Sequence, residues 1–597
     1  MAITKYSVNN HQLDVIFSWI KSKEIAIPEI QRPFVWSATK VRDLIDSLYN
    51  GYPIGYLITW KNPRVKLKDG KNSEGKKILI DGQQRVTALT AAILGEKVLT
   101  EDYKKVHIKI AFNPLTHTFE VQNPAILKDH AWIPNIAPII TGEARITSVI
   151  REYCEKNTSA NSGEIETALY DLRDIQKKQI GIIELGSELD IETVTEIFIR
   201  INSKGAILNQ ADFAMSKIAS NENYNGHEIR KAIDYFCHLM VAPEFYATIT
   251  ENDKDFVNTK FFKEMSWVKN ENDDLYDPLY DDLLRVTFTY KFNRGKIADL
   301  VSLLSGRNFE TRTYEEAIIK DSFQKLTEGI EEFMNETNFK RFLMIVKSVG
   351  FIDSSLNRSQ NVLNFAYTLY LKLKSMHYSA EEIAHYVRRW LVLSILTGRY
   401  SGSPESSFDF DIKKISEGNV EKFLKEVEAA ELSAAFWDSA LVQNLNTSVS
   451  NSPYFNIFIV SQIKTGDKGF LSKDITVRDM VLHRGDIHHI FPKEYLKKGG
   501  LTRNKYNQIA NYVYAQQEIN IKIGKKSPKE YFNTLKEQVS GGARIYGSLH
   551  TLEELHENLK ANCIPLEILD EDMDYNAFLE KRRKLMAKKI KDYYFTL

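Results

Sequence analysis

The chain has 597 residues, too many for one hydrophobic core, and at about 150 residues per folding unit three or four domains are expected. Lys plus Arg and Asp plus Glu both number 79, which excludes a strong overall field, so any grip on a polyanion must come from local patches. The three cysteines, Cys154, Cys237 and Cys563, form no CxxC pair, and neither a signal peptide nor an apolar run of about 18 residues occurs. A zinc ribbon, a disulfide framework and a membrane span are thereby excluded, and a soluble cytoplasmic protein is predicted.

Ile25 to Trp36 carries Pro28 and Pro33 and reads as extended, with Phe34 and Trp36 as core aromatics. Ser37 is the N-cap of a helix that Asn50-Gly51 stops. Ile54 to Trp60 and Lys77 to Ile80 are short strands; Asp81-Gly82 breaks the second, and Val86 to Leu94 has helical composition, so strand, tight loop and helix follow in sequence. Further strands are predicted at Val106 to Phe112 and Gln179 to Leu185. From Ile191 to about Ala440 the apolar residues recur at helical spacing, as in Phe323 to Val349 and Ala380 to Leu396. An acidic stretch, Asn270 to Asp282, and a Ser/Gly/Pro-rich one, Tyr400 to Ser407, read as loops. The prediction is a multidomain α+β protein with an N-terminal α/β domain over 1–225, an all-α middle over 226–443 and a third domain over 444–597.

Chemistry is densest in the third domain. Asp486-Ile-His488-His489-Ile-Phe-Pro492 places two adjacent imidazoles at the end of a short apolar strand that Pro492 terminates. Ile509 to Tyr514 is the partner strand, and Gln517 to Ile523 follows with Asn520. Taken alone, a His-His pair is most simply a polar strand end; the functional alternative is one imidazole on a divalent cation and the other accepting a proton from water. The order His488-His489, Asn511, Asn520 resembles the ββα-metal motif of HNH endonucleases. That resemblance implies His488 and Asn520 as ligands of Mg²⁺ or Mn²⁺, His489 as general base, and Asn511 as the residue that orients it. Asparagine at the last position and Ala-Asn-Tyr around Asn511 depart from the commonest form of the motif. Lys493, Lys522, Lys525 and Lys526 stand near enough in sequence to grip DNA phosphates. Lys581-Arg582-Arg583-Lys584 with Lys588, Lys589 and Lys591 reads equally as a solvated helix face or as a DNA contact.

At the other end, Ile27-Pro-Glu-Ile-Gln31-Arg32-Pro-Phe-Val-Trp36, Asp81-Gly82-Gln83-Gln84-Arg85 and Phe198-Ile-Arg-Ile-Asn202-Ser203-Lys-Gly205 resemble signature segments of the GmrSD-type restriction endonucleases and the related SspE and BrxU defence proteins. An ending around Tyr575, Phe578, Leu579 and Arg582 fits the same pattern. The resemblance implies a ParB/sulfiredoxin-like domain that binds and hydrolyses a nucleoside triphosphate (GTP, UTP or ATP). Asp81, Gly82, Gln83, Gln84 and Arg85 would form the pocket, with Gln31, Arg32, Asn202 and Ser203 contributing. The local physics agrees, since a loop entering a helix N-terminus offers free amide donors and Arg85 can hold a phosphate through two bonds. No Gly-x-x-x-x-Gly-Lys-Ser/Thr occurs, so this is not a P-loop enzyme. Without the resemblance, Asp81 reads as a cap and Gly82 as a turn.

The expected function is type IV restriction: an anti-phage endonuclease that is regulated by nucleotide and cuts double-stranded, base-modified phage DNA, such as the glucosylated hydroxymethylcytosine DNA of GmrSD-like enzymes. A homo-oligomer is compatible with the sequence. Two alternatives stay open: an SspE-like NTPase and nickase responsive to phosphorothioate marks, and a nucleotide-sensing DNA-binding protein that does not cut.

Overall fold

The computed structural model describes residues 6–22, 24–26, 36–61, 77–99, 105–189, 210–219, 221–483 and 485–597. The expected extended segment with Gln31 and Arg32, and the turn with Asn202 and Ser203, lie outside these residues. The chain divides into two compact units, residues 1–269 with 297–324, and residues 270–296 with 325–597. The helices expected to form a middle domain are therefore shared between the two.

In the first unit the strands are β1 (Tyr6–Gln12), β2 (Ile25–Ala26), β3 (Leu57–Lys61), β4 (Lys77–Asp81), β5 (Lys97–Leu99), β6 (Lys105–His107), β7 (Ile110–Asn113), β8 (Thr118–Val121) and β9 (Gln179–Leu185). Five of them form one mixed sheet in the order β1-β9-β3-β4-β2. β9 runs antiparallel to β1 and parallel to β3, while β4 runs antiparallel to β3 and parallel to β2. The predicted strand over Val106 to Phe112 is instead two, β6 and β7, each in its own antiparallel pair with β5 and β8 respectively.

Among the helices that share a core with this sheet are α1 (Leu13–Lys21), α2 (Ala38–Tyr49) and α3 (Gln83–Ile93). Their apolar stripes, Leu13, Ile16 and Phe17, then Val41, Leu44, Ile45 and Leu48, then Val86 and Leu89, meet Leu57, Leu79 and Ile182 in one core. The cap of α2 is as predicted: the Ser37 side chain accepts from the Lys40 N–H, and Gly51 leaves the helix with φ at +72°. Gly82 begins α3 with φ at +93°, and a side chain there would run into Leu57. Only glycine combines that dihedral with so close a strand.

The second unit is largely helical. Ala380–Thr397 starts from Ser379 in a reciprocal capping box with Glu382. The helical stretch predicted over Phe323 to Val349 breaks once, where Asn335 caps Glu336–Val349. The loop predicted over Tyr400 to Ser407 is shorter than expected because Pro404 opens a helix, its missing N–H costing nothing in the first turn. An aromatic cluster of Tyr276, Phe333, Phe339, Phe342 and Tyr367 fills the core, and the Tyr276 hydroxyl donates to Asn364 Oδ1 at 2.9 Å. Against the helices Pro453–Thr465 and Tyr575–Tyr594 sits a hairpin, β10 (Asp486–His489) with β11 (Tyr512–Ala515), followed by the helix Gln517–Ile523.

Candidate active site

β10 and β11 pair antiparallel with His488 opposite Val513 and His489 opposite Tyr512. Because successive strand residues point to opposite faces, the two imidazoles meet different surroundings. His488 is 2% exposed and lies stacked on Phe470, ring centres 6.0 Å apart. Its Nδ1 is 2.6 Å from Asn520 Oδ1, while its Nε2 is buried without a hydrogen-bond partner. Burial pushes the pKa of His488 down to about 4, against the opposing effect of the Asn520 bond. His489 stands edge-on to Tyr512 at 4.9 Å, with Nε2 3.0 Å from Asn507 Oδ1. Burial, and the charge of Lys493, also lower its pKa, so both rings are neutral at cellular pH.

Asn511, fully buried, belongs to a 3-10 turn (Ile509–Asn511) just ahead of β11, one step short of the expected strand position. Its side chain touches neither ring in any hydrogen bond. Instead Oδ1 accepts from the Phe491 N–H at 2.8 Å, and Nδ2 donates to Phe491 O at 3.0 Å and Tyr506 O at 3.4 Å. The Asn511 carbonyl takes the Ile490 N–H, and the Tyr531 hydroxyl donates to Ile490 O at 2.7 Å. All four main-chain groups of Ile490 and Phe491 are thus held, fixing the backbone just past His489. The influence of Asn511 on the expected base is indirect, and the side chain in contact with that base is Asn507, which sequence reasoning missed. Its only sequence signal is that it ends a short polar helix, Arg503–Tyr506.

Asn520 is placed beside His488 as expected, but against Nδ1, the ring nitrogen opposite the unpartnered Nε2. The two do not point at one common spot; the amide orients the imidazole, as the supporting partner of a metal-bound histidine does. Among the described residues no group of three or more His, Cys, Asp and Glu side chains could hold a metal ion.

Lys493, Lys522, Lys525 and Lys526 are all exposed. Lys493 lies 5.9 Å over the Tyr506 ring, Lys522 lines a cavity of about 350 Å³ with Arg544 and Ser548, and Lys526 Nζ donates to the Tyr546 hydroxyl at 2.5 Å. The basic run of the last helix is not a free cationic face. Lys581 pairs with Glu567, Lys584 with Glu580 and Lys589 with Asp467. Arg582 is fully buried, its guanidinium donating to Ala510 O at 2.8 Å, Tyr512 O at 2.7 Å and Asn562 O at 3.2 Å.

In the first unit the Asp81–Arg85 segment bridges β4 and α3, as predicted. Arg85 Nη2 donates to Asp81 Oδ2 at 3.0 Å, and Nη1 donates to the carbonyls of Ile54 and Tyr56, each at 3.0 Å. Gln83 Nε2 donates to Leu79 O at 2.8 Å. A side chain at Gly55 would come within 2.6 Å of Arg85 Nη1. The expected phosphate-binding arginine is therefore engaged within its own domain, tying the loop before β3 to the start of α3.

Residues 13–219 match a family model, that of the GmrSD restriction endonuclease, N-terminal domain. The N-terminal segment is similar to the GmrSD type. The match runs from the first residue of α1 to the end of the helix Gln210–Ala219 and includes four of the five strands of the mixed sheet. Nearly the whole chain is also similar to an uncharacterized protein of Methanocaldococcus jannaschii, 23% identical over 624 aligned residues covering 95% of this chain and 96% of the relative. Among the described residues no helix is long and apolar enough to cross a membrane.

Proposed function

We propose that this protein is a metal-dependent DNA endonuclease of the HNH type, cutting with its ββα segment under the control of a nucleoside triphosphate bound by the GmrSD-type segment, and directed at modified foreign DNA. The observation that carries the reading is the succession of His488 and His489 on one strand of an antiparallel pair, with Asn520 of the helix after it against His488, over a backbone clamped by Asn511.

His489, neutral and half-buried, accepts a proton from the attacking water; as the water oxygen bonds to phosphorus, the bond to the 3′ oxygen breaks and that oxygen takes a proton from solvent to leave as a hydroxyl. His488, whose buried Nε2 has no hydrogen-bond partner, would be the residue that holds Mg²⁺ or Mn²⁺. Such a cation, when bound, would supply stabilisation of the charge gathering on the phosphoryl group. Lys493, Lys522 and Lys525 steady the flanking phosphates without reading sequence.

Supercoiled plasmid and base-modified phage DNA, incubated with Mg²⁺ or Mn²⁺ with and without nucleotide, test the reading. Cutting by the wild-type chain should fall by about 10²- to 10⁴-fold in His489→Ala, the usual loss for a general base. Equal cutting by the two proteins would sink the catalytic assignment, and DNA retention without cutting by wild type would leave a binding protein.

A further inference from the structure

We propose that Asn507 is the positioning residue of the general base: it holds the proton of neutral His489 on Nε2 and leaves Nδ1 free to receive the proton of water. The inference rests on the nuclease reading of this site and adds a residue to it.

A neutral imidazole carries one N–H and one bare nitrogen, and the partner of one nitrogen settles the state of the other. The Oδ1 of Asn507, 3.0 Å from Nε2, has only lone pairs to offer, and with the amide in this orientation Nε2 is the nitrogen that bears the proton. Asn511 is unavailable for this task, since its amide is spent on Phe491 and Tyr506. The chain entering Asn507 is itself immobilised. The Tyr506 carbonyl accepts from Asn511 Nδ2 at 3.4 Å, and the single proton of the Tyr575 hydroxyl is shared between Tyr506 O at 3.2 Å and Lys505 O at 3.0 Å. The Asn507 N–H donates to Arg503 O at 3.1 Å, closing the short helix. With Tyr512 against the ring of His489, the imidazole is confined by a neighbour on β11 and by an amide whose own backbone is fixed. A turned amide would reverse the outcome, placing Nδ2–H against a bare Nε2 and the proton on the nitrogen that should accept one.

The nitrogen states can be read directly from the full chain labelled with ¹⁵N-histidine, in long-range proton–nitrogen spectra, with His489 assigned by the signal lost in His489→Gln. Wild type and Asn507→Asp should show Nε2–H, because a carboxylate also only accepts; Asn507→Ala should show a mixture of tautomers. Single-turnover cleavage of plasmid at saturating DNA should fall about 10- to 100-fold in Asn507→Ala, as for other orienting partners, with the DNA concentration dependence unchanged, and Asn507→Asp should restore most of the rate. Asn507→Ser, polar but too short to reach the ring, makes the same comparison if the alanine variant does not fold. A wild-type His489 protonated on Nδ1, or an Asn507→Ala protein with wild-type spectrum and turnover, overturns the proposal. Absence of cutting by wild type overturns the nuclease reading instead, and the spectrum still decides the bond.

Discussion

Asn511 illustrates how a buried amide can act at a distance from the chemistry. With no exposure to water, it satisfies both main-chain groups of Phe491, and a buried donor or acceptor left unmade costs about 1–3 kcal/mol. Asn511→Ala should therefore lower the stability of the second unit by about 2–4 kcal/mol in urea unfolding, with loss of cutting as the strand end loosens; an unchanged midpoint would contradict this account. Asp277 is a contrary case, a carboxylate whose Oδ1 is buried without a partner. Burial, reinforced by Asp274, Asp273 and Glu271, pushes its pKa up to about 6. A carboxyl whose folded pKa exceeds its unfolded value stabilises most when protonated, so its contribution is greatest below about pH 4 and is lost as pH rises through 6. After allowance for its partial exposure, Asp277→Asn should gain about 1 kcal/mol at pH 7.5 and almost nothing at pH 4, a difference that urea midpoints at the two pH values can check.

Two arginines join elements by clamping carbonyl oxygens. Arg582, from the last helix, holds the carbonyls of Ala510 and Tyr512, the residues on either side of Asn511, and burial lowers its pKa to about 10. The final helix is thus part of the framework of the site. Each buried carbonyl left without its donor costs about 1–3 kcal/mol, so Arg582→Ala should shift the melting of the full chain down and reduce cutting. Arg582→Lys should recover only part, since a point charge cannot reach two carbonyls as a planar fork does. Arg85 performs the same task between α3 and the loop before β3. The ordinary strand-loop-helix expectation at Asp81–Arg85 holds, but the arginine that looked available to phosphate is spent on Ile54, Tyr56 and Asp81, so a nucleotide would have to displace part of that lattice.

For the molecule as a whole, the proposed function assigns one chemistry to each of the two compact units, so that the two activities can be lost one at a time. His489→Ala should abolish DNA cutting and keep nucleotide turnover measurable, whereas Arg85→Ala should reduce turnover first; phosphate release and plasmid cleavage measured on both proteins decide it, and joint loss in each folded variant would refute the division. By itself the sequence determined what is local: the capped helices at Ser37 and Ser379, the strand at Gln179–Leu185, and the order of strand, strand and helix around His488, Asn511 and Asn520, because periodicity, caps and turn residues act within a few positions. Only the tertiary structure decided which partner each polar group takes. His489 meets Asn507 from 18 residues away, His488 meets Asn520 from 32, and Arg582 meets Ala510 from 72. A hydrogen bond depends on a few tenths of an ångström and a rotamer, and spacing along the chain carries neither.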